Sequence, residues 1–342
     1  MKKSLFLVLL LVIGITVSAQ WSTNPAVNNV ISDLSGEQVL SKIGVCSDGN
    51  IYIAFFSNQT GFYNVRIQKL DSQGNELWPH NGILVFNDST DSWVSDWDMA
   101  VDATNHAVLT FSEVENGNWN TVAYRISPSG ESVWGVNGVA LSNNAEMNAA
   151  PKVICTPAGN SIFAWSSGDI IIMQKLNAAG QKQWGPNGIN VTTTNRTSWP
   201  QLMPVGNDDF IMKYFDDSGS VPYPVRTIYA QRYNSAGTGV WSSPALVSDA
   251  GGISGWNQIF PFINDGSDGF YIAWHDDRDN NLRASVFVQH VNSSGQVVYP
   301  ADGVEASTAS SFNHFYPYLA CPPNSTDVYV FWNEMNTDQD LN

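Results

Sequence analysis

Short apolar runs that end in aromatic residues recur along the chain, separated by glycine, asparagine and aspartate. They read YIAFF, VLTF, IFAW, FIMKYF, YIAW and VYVFW, from Tyr52–Phe56 to Val328–Trp332. Continuous apolar runs of this length are typical of strands buried on both faces. The intervening segments, such as Asp48-Gly49 and Asp265–Gly269, have the composition of hairpin turns. No capped helical period appears after the amino terminus, so the pattern predicts an all-β protein.

A second pattern follows each aromatic run at a nearly constant distance. The phrases QKLDSQGNELWPHNG, YRISPSGESVWGVNG and QKLNAAGQKQWGPNG are followed by two looser copies, and their shared glycines lie 50 to 58 residues apart. These are Gly74, Gly130, Gly180, Gly237 and Gly295. A period of this size with strand-like content predicts the four-stranded blades of a β-propeller. In the fifth unit we expect strands at 260–264, 269–274, 284–291 and 296–306.

The amino terminus carries a partial copy of the repeat. Trp21–Val27 matches the fourth-strand phrase of the other units, without the first three strands before it. We therefore expect Trp21–Ile31 to complete the blade that begins at Phe315, which closes a ring and removes its open sheet edges. The count is six blades, and the missing third strand of the last blade indicates that this chain is truncated or that more blades follow.

Aromatic residues at repeated positions are interpreted as framework. A tryptophan recurs in the fourth-strand phrase, with tyrosine as its substitute in the fifth unit, and we expect it to wedge between neighbouring blades (Trp78, Trp134, Trp184, Trp241 and Tyr299). Aromatic-proline pairs recur at the start of the first strand and are assigned to packing as well (Trp199-Pro200, Phe260-Pro261 and Tyr316-Pro317).

The first nineteen residues differ from the rest. Lys2 and Lys3 precede the apolar stretch Leu5–Val17, and Val17-Ser18-Ala19 offers a small-residue cleavage site. This is the pattern of a secretory signal peptide, too short for a membrane span. We expect residues 1–19 to be removed and residues 20–342 to form one exported or cell-surface propeller domain.

Charge and cysteine content narrow the list of partners. The formal net charge is -16, which disfavours binding to nucleic acid. Cys46, Cys155 and Cys321 occupy the same position in three units, so we expect unpaired core thiols. We expect a monomer that does not insert into a membrane and needs no cofactor or metal.

Candidate ligand-binding residues lie in the irregular loops between blades and between the second and third strands. These loops are expected to share one face, and we expect a glycan or surface-protein contact there. The residues chosen for it are Trp93, Trp97, Trp256 and Phe312, with Asp276 and Glu334 as polar partners. The run His275–Asp279 offers oxygens for Ca²⁺, but an internal Asp276–Arg278 pair that braces the loop is favoured.

No motif for a catalytic nucleophile, a P-loop or a zinc site is present. The main functional expectation is therefore a non-catalytic binding propeller. A hydrolase that acts on extracellular polysaccharide or peptide is the alternative, and a structural scaffold is the third possibility.

The repeat resembles that of secreted Bacteroidota propeller proteins. The residues that carry the resemblance are Trp274-His-Asp276-Asp-Arg278 and Ile228-Tyr-Ala-Gln231-Arg232, continued through Trp241. The resemblance covers residues 21–342 and implies export, in many cases by the type IX route with a carboxy-terminal sorting domain. The sequence contains no such domain, so surface anchoring stays open.

Overall fold

The computed structural model describes residues 24, 26, 28–88, 97–115, 117–220, 223–255, 258–308, 311–322 and 327–336. Within these ranges all regular elements are strands, as predicted. They form five four-stranded sheets and one two-stranded sheet, each an antiparallel meander in chain order. Residues 1–19, for which a signal peptide is expected, and Trp21 lie outside the described residues.

The first three sheets follow one another along the chain. Sheet 1 contains β1 (Gln38–Val45), β2 (Ile51–Ser57), β3 (Asn64–Leu70) and β4 (Ile83–Phe86). Sheet 2 contains β5 (Asp98–Val101), β6 (Ala107–Glu115), β7 (Asn118–Ile126) and β8 (Val139–Ala140). Sheet 3 contains β9 (Asn148–Cys155), β10 (Ser161–Ser167), β11 (Ile170–Leu176) and β12 (Ile189–Val191).

The other sheets repeat this order. Sheet 4 contains β13 (Arg196–Val205), β14 (Asp209–Ser218), β15 (Val225–Tyr233) and β16 (Ala245–Ser248). Sheet 5 contains β17 (Phe262–Asn264), β18 (Phe270–Asp276), β19 (Ser285–Val291) and β20 (Val304–Glu305). Sheet 6 consists of β21 (Asn313–Ala320) and β22 (Tyr329–Met335).

Among the described residues, the core consists of four apolar layers, each between two consecutive sheets. They join sheets 1 and 2, 2 and 3, 3 and 4, and 4 and 5. Sheet 6 packs on sheet 5, where the rings of His275 and Phe315 meet edge to face at 5.1 Å. Face-to-face packing of successive four-stranded meanders is the arrangement of propeller blades. The second strands of sheets 3, 4 and 5 are almost wholly buried, which confirms the interpretation of their apolar runs. In sheet 6, β22 is exposed or half-buried along its whole length, so the interpretation is wrong for this run.

The recurring phrase is a turn, and the fourth strand after it is shorter than predicted. It forms a tight turn in which Gly74, Gly130 and their three equivalents have φ between 76° and 92°. In each copy the glycine N–H donates to the carbonyl three residues earlier, at 2.8 to 3.0 Å. An isolated bridge such as Val291–Val297 closes the turn, and β20 begins only at Val304. The expected strand 296–306 is therefore mostly turn, because backbone at positive φ cannot continue a strand.

The tryptophan after this glycine joins neighbouring sheets, as predicted. The indole Nε1 of Trp134 donates to the Ala178 carbonyl of sheet 3 at 3.1 Å, and Trp184 and Trp241 make the same bond to Ser235 and Ser293. A Cβ on Gly180 would lie 2.8 Å from the Trp134 ring, so glycine lets the indole approach. The repeated spacing of tryptophan and glycine therefore encodes one inter-sheet contact.

A glutamine on the third strand holds this turn in place. Gln231 Oε1 accepts a hydrogen bond from Trp241 N–H and its Nε2 donates to the Trp241 carbonyl, both at 3.2 Å. Gln68, Gln174 and Gln289 make corresponding bonds to their own turns. Since a buried amide must satisfy its hydrogen bonds, this residue fixes the path of the chain into the fourth strand.

Two of the three aromatic-proline pairs, Trp199-Pro200 and Tyr316-Pro317, lie at a β-bulge in the first strand. Register shifts occur at this position in sheets 1, 3, 4 and 6, where Leu40, Ala150, Trp199 and Tyr316 have φ between 51° and 58°. Proline follows three of these four residues, which suits a residue that leaves the hydrogen-bonded ladder. The packing interpretation is confirmed for Phe260, which is a buried core residue, and for Trp199, which packs against the same core cluster, whereas Tyr316 is 57% exposed.

The three cysteines are unpaired, as predicted. Each lies at the end of the first strand of its sheet or directly after it. Burial raises the pKa of Cys155 to about 12, so this thiol stays protonated at neutral pH.

Candidate functional site

One position at the end of the second strand differs from sheet to sheet. In each sheet, the position of the third-strand glutamine pairs with a residue of the second strand. Four residues after that paired residue stand Glu113 in sheet 2, Asp216 in sheet 4 and Asp276 in sheet 5. The corresponding residues of sheets 1 and 3 are serines. Three sheets therefore carry an acidic residue at the same structural position.

Asp276 is part of the framework. Its side chain is fully buried and accepts hydrogen bonds from Trp274 Nε1 at 2.7 Å and from Arg278 Nη2 at 2.7 Å. The Arg278 guanidinium also lies 3.3 Å from the centre of the Phe287 ring. The expected internal Asp276–Arg278 pair is confirmed, and the assignment of Asp276 as a ligand contact is corrected, since no oxygen faces solvent.

Sheet 4 also satisfies its acids internally. Asp216 Oδ1 accepts a hydrogen bond from Asn195 Nδ2 at 2.7 Å. The next residue, Asp217, is buried between Arg196 and Arg226, with contacts of 3.0 and 3.1 Å, and accepts a bond from Ser198 Oγ at 2.6 Å. Both carboxylates therefore brace the loop.

Glu113 has a different environment, because it lines an open cleft between sheets 1 and 2. The cleft measures about 750 Å³, and Asp88, just after β4, lines it too. Asp88 is exposed and Glu113 is half-buried. We call this space the carboxylate cleft; its other walls come from 83–87, Val114, Val122, Tyr124, Ile126, Gly130, Ser132, Val136, Asn137 and Ala140.

The cleft combines polar groups with an apolar wall. Asn87 and Asn137 supply exposed amides, and Phe86 and Tyr124 meet edge to face in the same lining, with ring centres 6.3 Å apart. Burial raises the pKa of Tyr124 to about 12, and the charge of Glu113 acts in the same direction. The phenol is therefore protonated at neutral pH. Two carboxylates beside amides and an apolar wall could bind a sugar and act as acid and base on it.

The residues chosen from the sequence do not form one site. Trp97 is 2% exposed; its indole donates to the Leu40 carbonyl at 2.8 Å and stacks on Phe56. Its expected exposure is wrong because the bulge of sheet 1 presents that carbonyl to it. Phe312 is half-buried, and Trp93 and Trp256 lie outside the described residues.

Glu334 lies on sheet 6, with its side chain 40% exposed. Its Oε2 is 3.2 Å from Nε2 of His314, which is buried and has no partner for Nδ1 among the described residues. Nearby, burial lowers the pKa of His275 to about 4, so this imidazole is neutral and accepts a bond from Tyr316 N–H. The bond from Tyr316 to His275 fastens sheet 6 to sheet 5, whereas the contact between His314 and Glu334 lies within sheet 6.

The sequence alone does not predict that Asp88 and Glu113 line the same cleft. Glu113 was one of several loop acids in the sequence, and Asp88 follows a short strand with no motif around it. A signal for Glu113 was present in the alignment of the repeats: Trp274 and Arg278 flank Asp276, but the residues at these positions in sheet 2 are Phe111 and Glu115.

Two absences concern the described residues only. In that part of the chain, no three or more His, Cys, Asp or Glu side chains form a group that could hold a metal ion. The same part contains no helix of the length and apolarity needed to cross a membrane.

No protein-family model and no curated protein matches this chain. Similar solved structures include a subtype N11 neuraminidase-like protein of A/flat-faced bat/Peru/033/2010, with 11% identity, TM-score 0.49, and coverage of 94% of this chain and 90% of that one. Another is the NanB sialidase from Streptococcus pneumoniae, with 10% identity, TM-score 0.45 and coverages of 90% and 67%. A thermostable family-43 glycoside hydrolase has 13% identity, TM-score 0.40 and coverages of 71% and 85%. At these values no residue of those proteins is transferred to this chain.

The main functional expectation from the sequence, a non-catalytic binding propeller, is corrected. Trp97 and Asp276 are core residues rather than surface contacts. The similar structures described above are named as a glycoside hydrolase, a sialidase and a neuraminidase-like protein.

Proposed function

We propose that this chain is a secreted hydrolase that cleaves glycosidic bonds of a polysaccharide in the carboxylate cleft. The observation that carries the proposal is that Asp88 and Glu113 line the same open space of about 750 Å³. Most families of glycoside hydrolases use two carboxyl groups, one that protonates the leaving oxygen and one that attacks the sugar or activates water. Export and the Bacteroidota lineage remain predictions from the sequence.

The two carboxyl groups have different surroundings, which suits different roles. Glu113 is half-buried beside Tyr124 and Val122, and we assign it as the proton donor to the leaving oxygen. Asp88 is exposed, and we assign it as the charged partner on the opposite side of the sugar. Asn87 and Asn137 would donate hydrogen bonds to sugar hydroxyls.

Release of reducing ends from a panel of plant and microbial polysaccharides tests this function. We expect the wild type to cleave at least one polymer, and Glu113→Gln and Asp88→Asn each to lower kcat by about 100-fold or more. Glu131→Gln, an exposed acid in the turn of sheet 2, is the matched control and should keep full activity. Cleavage that survives Glu113→Gln would exclude the assignment, and an inactive wild type would favour the scaffold alternative.

We further propose that the sheets close into a six-bladed ring. Two observations support closure. Apolar side chains are exposed to solvent on sheet 1 and on sheet 6, where Ile43 is 67% and Tyr318 is 66% exposed. At the amino terminus, Asn29 Nδ2 donates to the Gly74 carbonyl at 3.3 Å, on the turn that receives a tryptophan in later sheets.

Stability of Ile43→Asp tests the ring. If Ile43 is covered on closure, the substitution should cost about 1–3 kcal/mol of unfolding free energy. Val225→Asp is the matched control, since Val225 is a β-branched strand residue with 59% exposure, and should change little. Equal and small effects of both substitutions would show that the array is open at sheet 1.

A further inference from the structure

A second cleft lies between sheets 2 and 3, one repeat along from the carboxylate cleft. It measures about 610 Å³. We call it the amide cleft, after the exposed polar side chains that line it: Asn143, Glu146, Asp169, Asn187 and Asn190. None of these five side chains makes a hydrogen bond within the part of the chain that the structure describes. Their donors and acceptors are therefore available to a ligand.

The wall of the amide cleft is held in place by its neighbours. Asn144 Nδ2 donates to Ser167 Oγ at 3.1 Å, and its Oδ1 accepts from Asn148 Nδ2 at 2.8 Å. Asn148 in turn donates to the Trp119 and Glu146 carbonyls. The loop that carries Asn143 and Glu146 is thus preorganised, which lowers the entropic cost of binding.

The two clefts lie on either side of one thin strand. Ala140, the last residue of β8, lines the carboxylate cleft, and Leu141–Asn144 line the amide cleft. β8 contains only two residues, and the side chain at the boundary is alanine. An extended polymer could pass from one cleft to the other over this low ridge.

Charge narrows the chemistry of that polymer. Four acids line the two clefts, Asp88, Glu113, Glu146 and Asp169, and no lysine or arginine stands among the described residues of either lining. The whole chain has a formal net charge of -16. Uronates and sulfates would be repelled, whereas neutral sugars offer hydroxyls to the amides and CH faces to Ile170 and Ile172.

We propose that one uncharged polysaccharide chain occupies both clefts, with the amide cleft as a binding subsite beside the cleavage position. The cleavage position in this proposal rests on the proposed hydrolase function. Binding of the polysaccharide in the amide cleft does not require turnover. It assigns Asn187 and Asn190 to substrate binding and not to the chemical step.

Binding and turnover of the full chain are to be measured separately with defined polymers. Native affinity electrophoresis in gels containing arabinan, xylan or galactomannan is compared with gels containing polygalacturonate or chondroitin sulfate. We expect retardation by at least one neutral polymer and by neither anionic one. The double variant Asn187→Ala/Asn190→Ala should weaken that retention about tenfold, as expected for two or three lost hydrogen bonds. Asn207→Ala, an exposed asparagine in the turn between β13 and β14, is the matched control and should bind as the wild type does.

The outcomes separate this inference from the hydrolase function. If the double variant raises KM for the polymer about tenfold with kcat unchanged, both hold. Retention of neutral polymers that falls in the double variant, without any cleavage, supports the subsite and rejects the hydrolase. Cleavage with unchanged polymer affinity in the double variant, or retention by polygalacturonate, overturns the subsite and leaves the hydrolase standing.

Discussion

At one end of the strands the same turn recurs from sheet to sheet, whereas at the other end the equivalent positions differ between sheets. At the end that carries the recurring phrase, every complete sheet repeats the same glycine turn, and most repeat the same glutamine brace and indole bond. At the other end, equivalent positions hold Glu113, Asp216 and Asp276, and each has different partners. Repetition at one end shows what the fold requires, and variation at the other shows where a site could arise.

The comparison predicts its largest effect at the repeated end. Trp134→Ala should lower the unfolding free energy by about 3–5 kcal/mol, because it removes a buried ring between sheets 2 and 3 and leaves a cavity. Urea unfolding measures this, with Val136→Ala as control, since Val136 is 86% exposed. A loss below about 1 kcal/mol would contradict the wedge role.

A smaller effect is expected from His275 at the variable end. Burial lowers the pKa of this imidazole from 6.5 to about 4, so below pH 6.5 the unfolded chain binds a proton that the folded one does not. Stability should therefore decline as the pH falls from about 6.5 to about 4. Across this range, the urea concentration at the unfolding midpoint should depend less on pH in His275→Asn than in the wild type. An equal dependence on pH in both proteins would show that other groups cause the decline.

The smallest effect concerns Asp216. Its carboxylate accepts one hydrogen bond from Asn195, so Asp216→Asn should cost about 1 kcal/mol or less. Thermal unfolding of Asp216→Asn is compared with that of Asp217→Asn. Asp217 is buried between two arginines, so its substitution should lower the unfolding free energy more. Equal losses would mean that the arginine pairs contribute little.

The repeated end could be predicted from the sequence, and the variable end could not. The spacing of Gly130 and Trp134 recurs because the same contact recurs, so repetition of letters reports a repeated structure. The burial of Trp97 depends on the Leu40 carbonyl, 57 residues earlier, which no local pattern contains. Likewise, Asp88 and Glu113 come from different sheets, and only the packing of sheet 1 on sheet 2 brings them to one cleft.

The central claim is that one strand position serves the framework in sheet 5 and chemistry in sheet 2. A paired measurement of polysaccharide cleavage and thermal stability in Glu113→Gln and Asp276→Asn tests it most directly. The account predicts that Glu113→Gln loses turnover by about 100-fold with an unchanged melting temperature. Asp276→Asn should keep its turnover but lose several degrees, because Arg278 and Trp274 lose their charged partner. If Glu113→Gln instead loses stability and keeps its turnover, the claim is wrong.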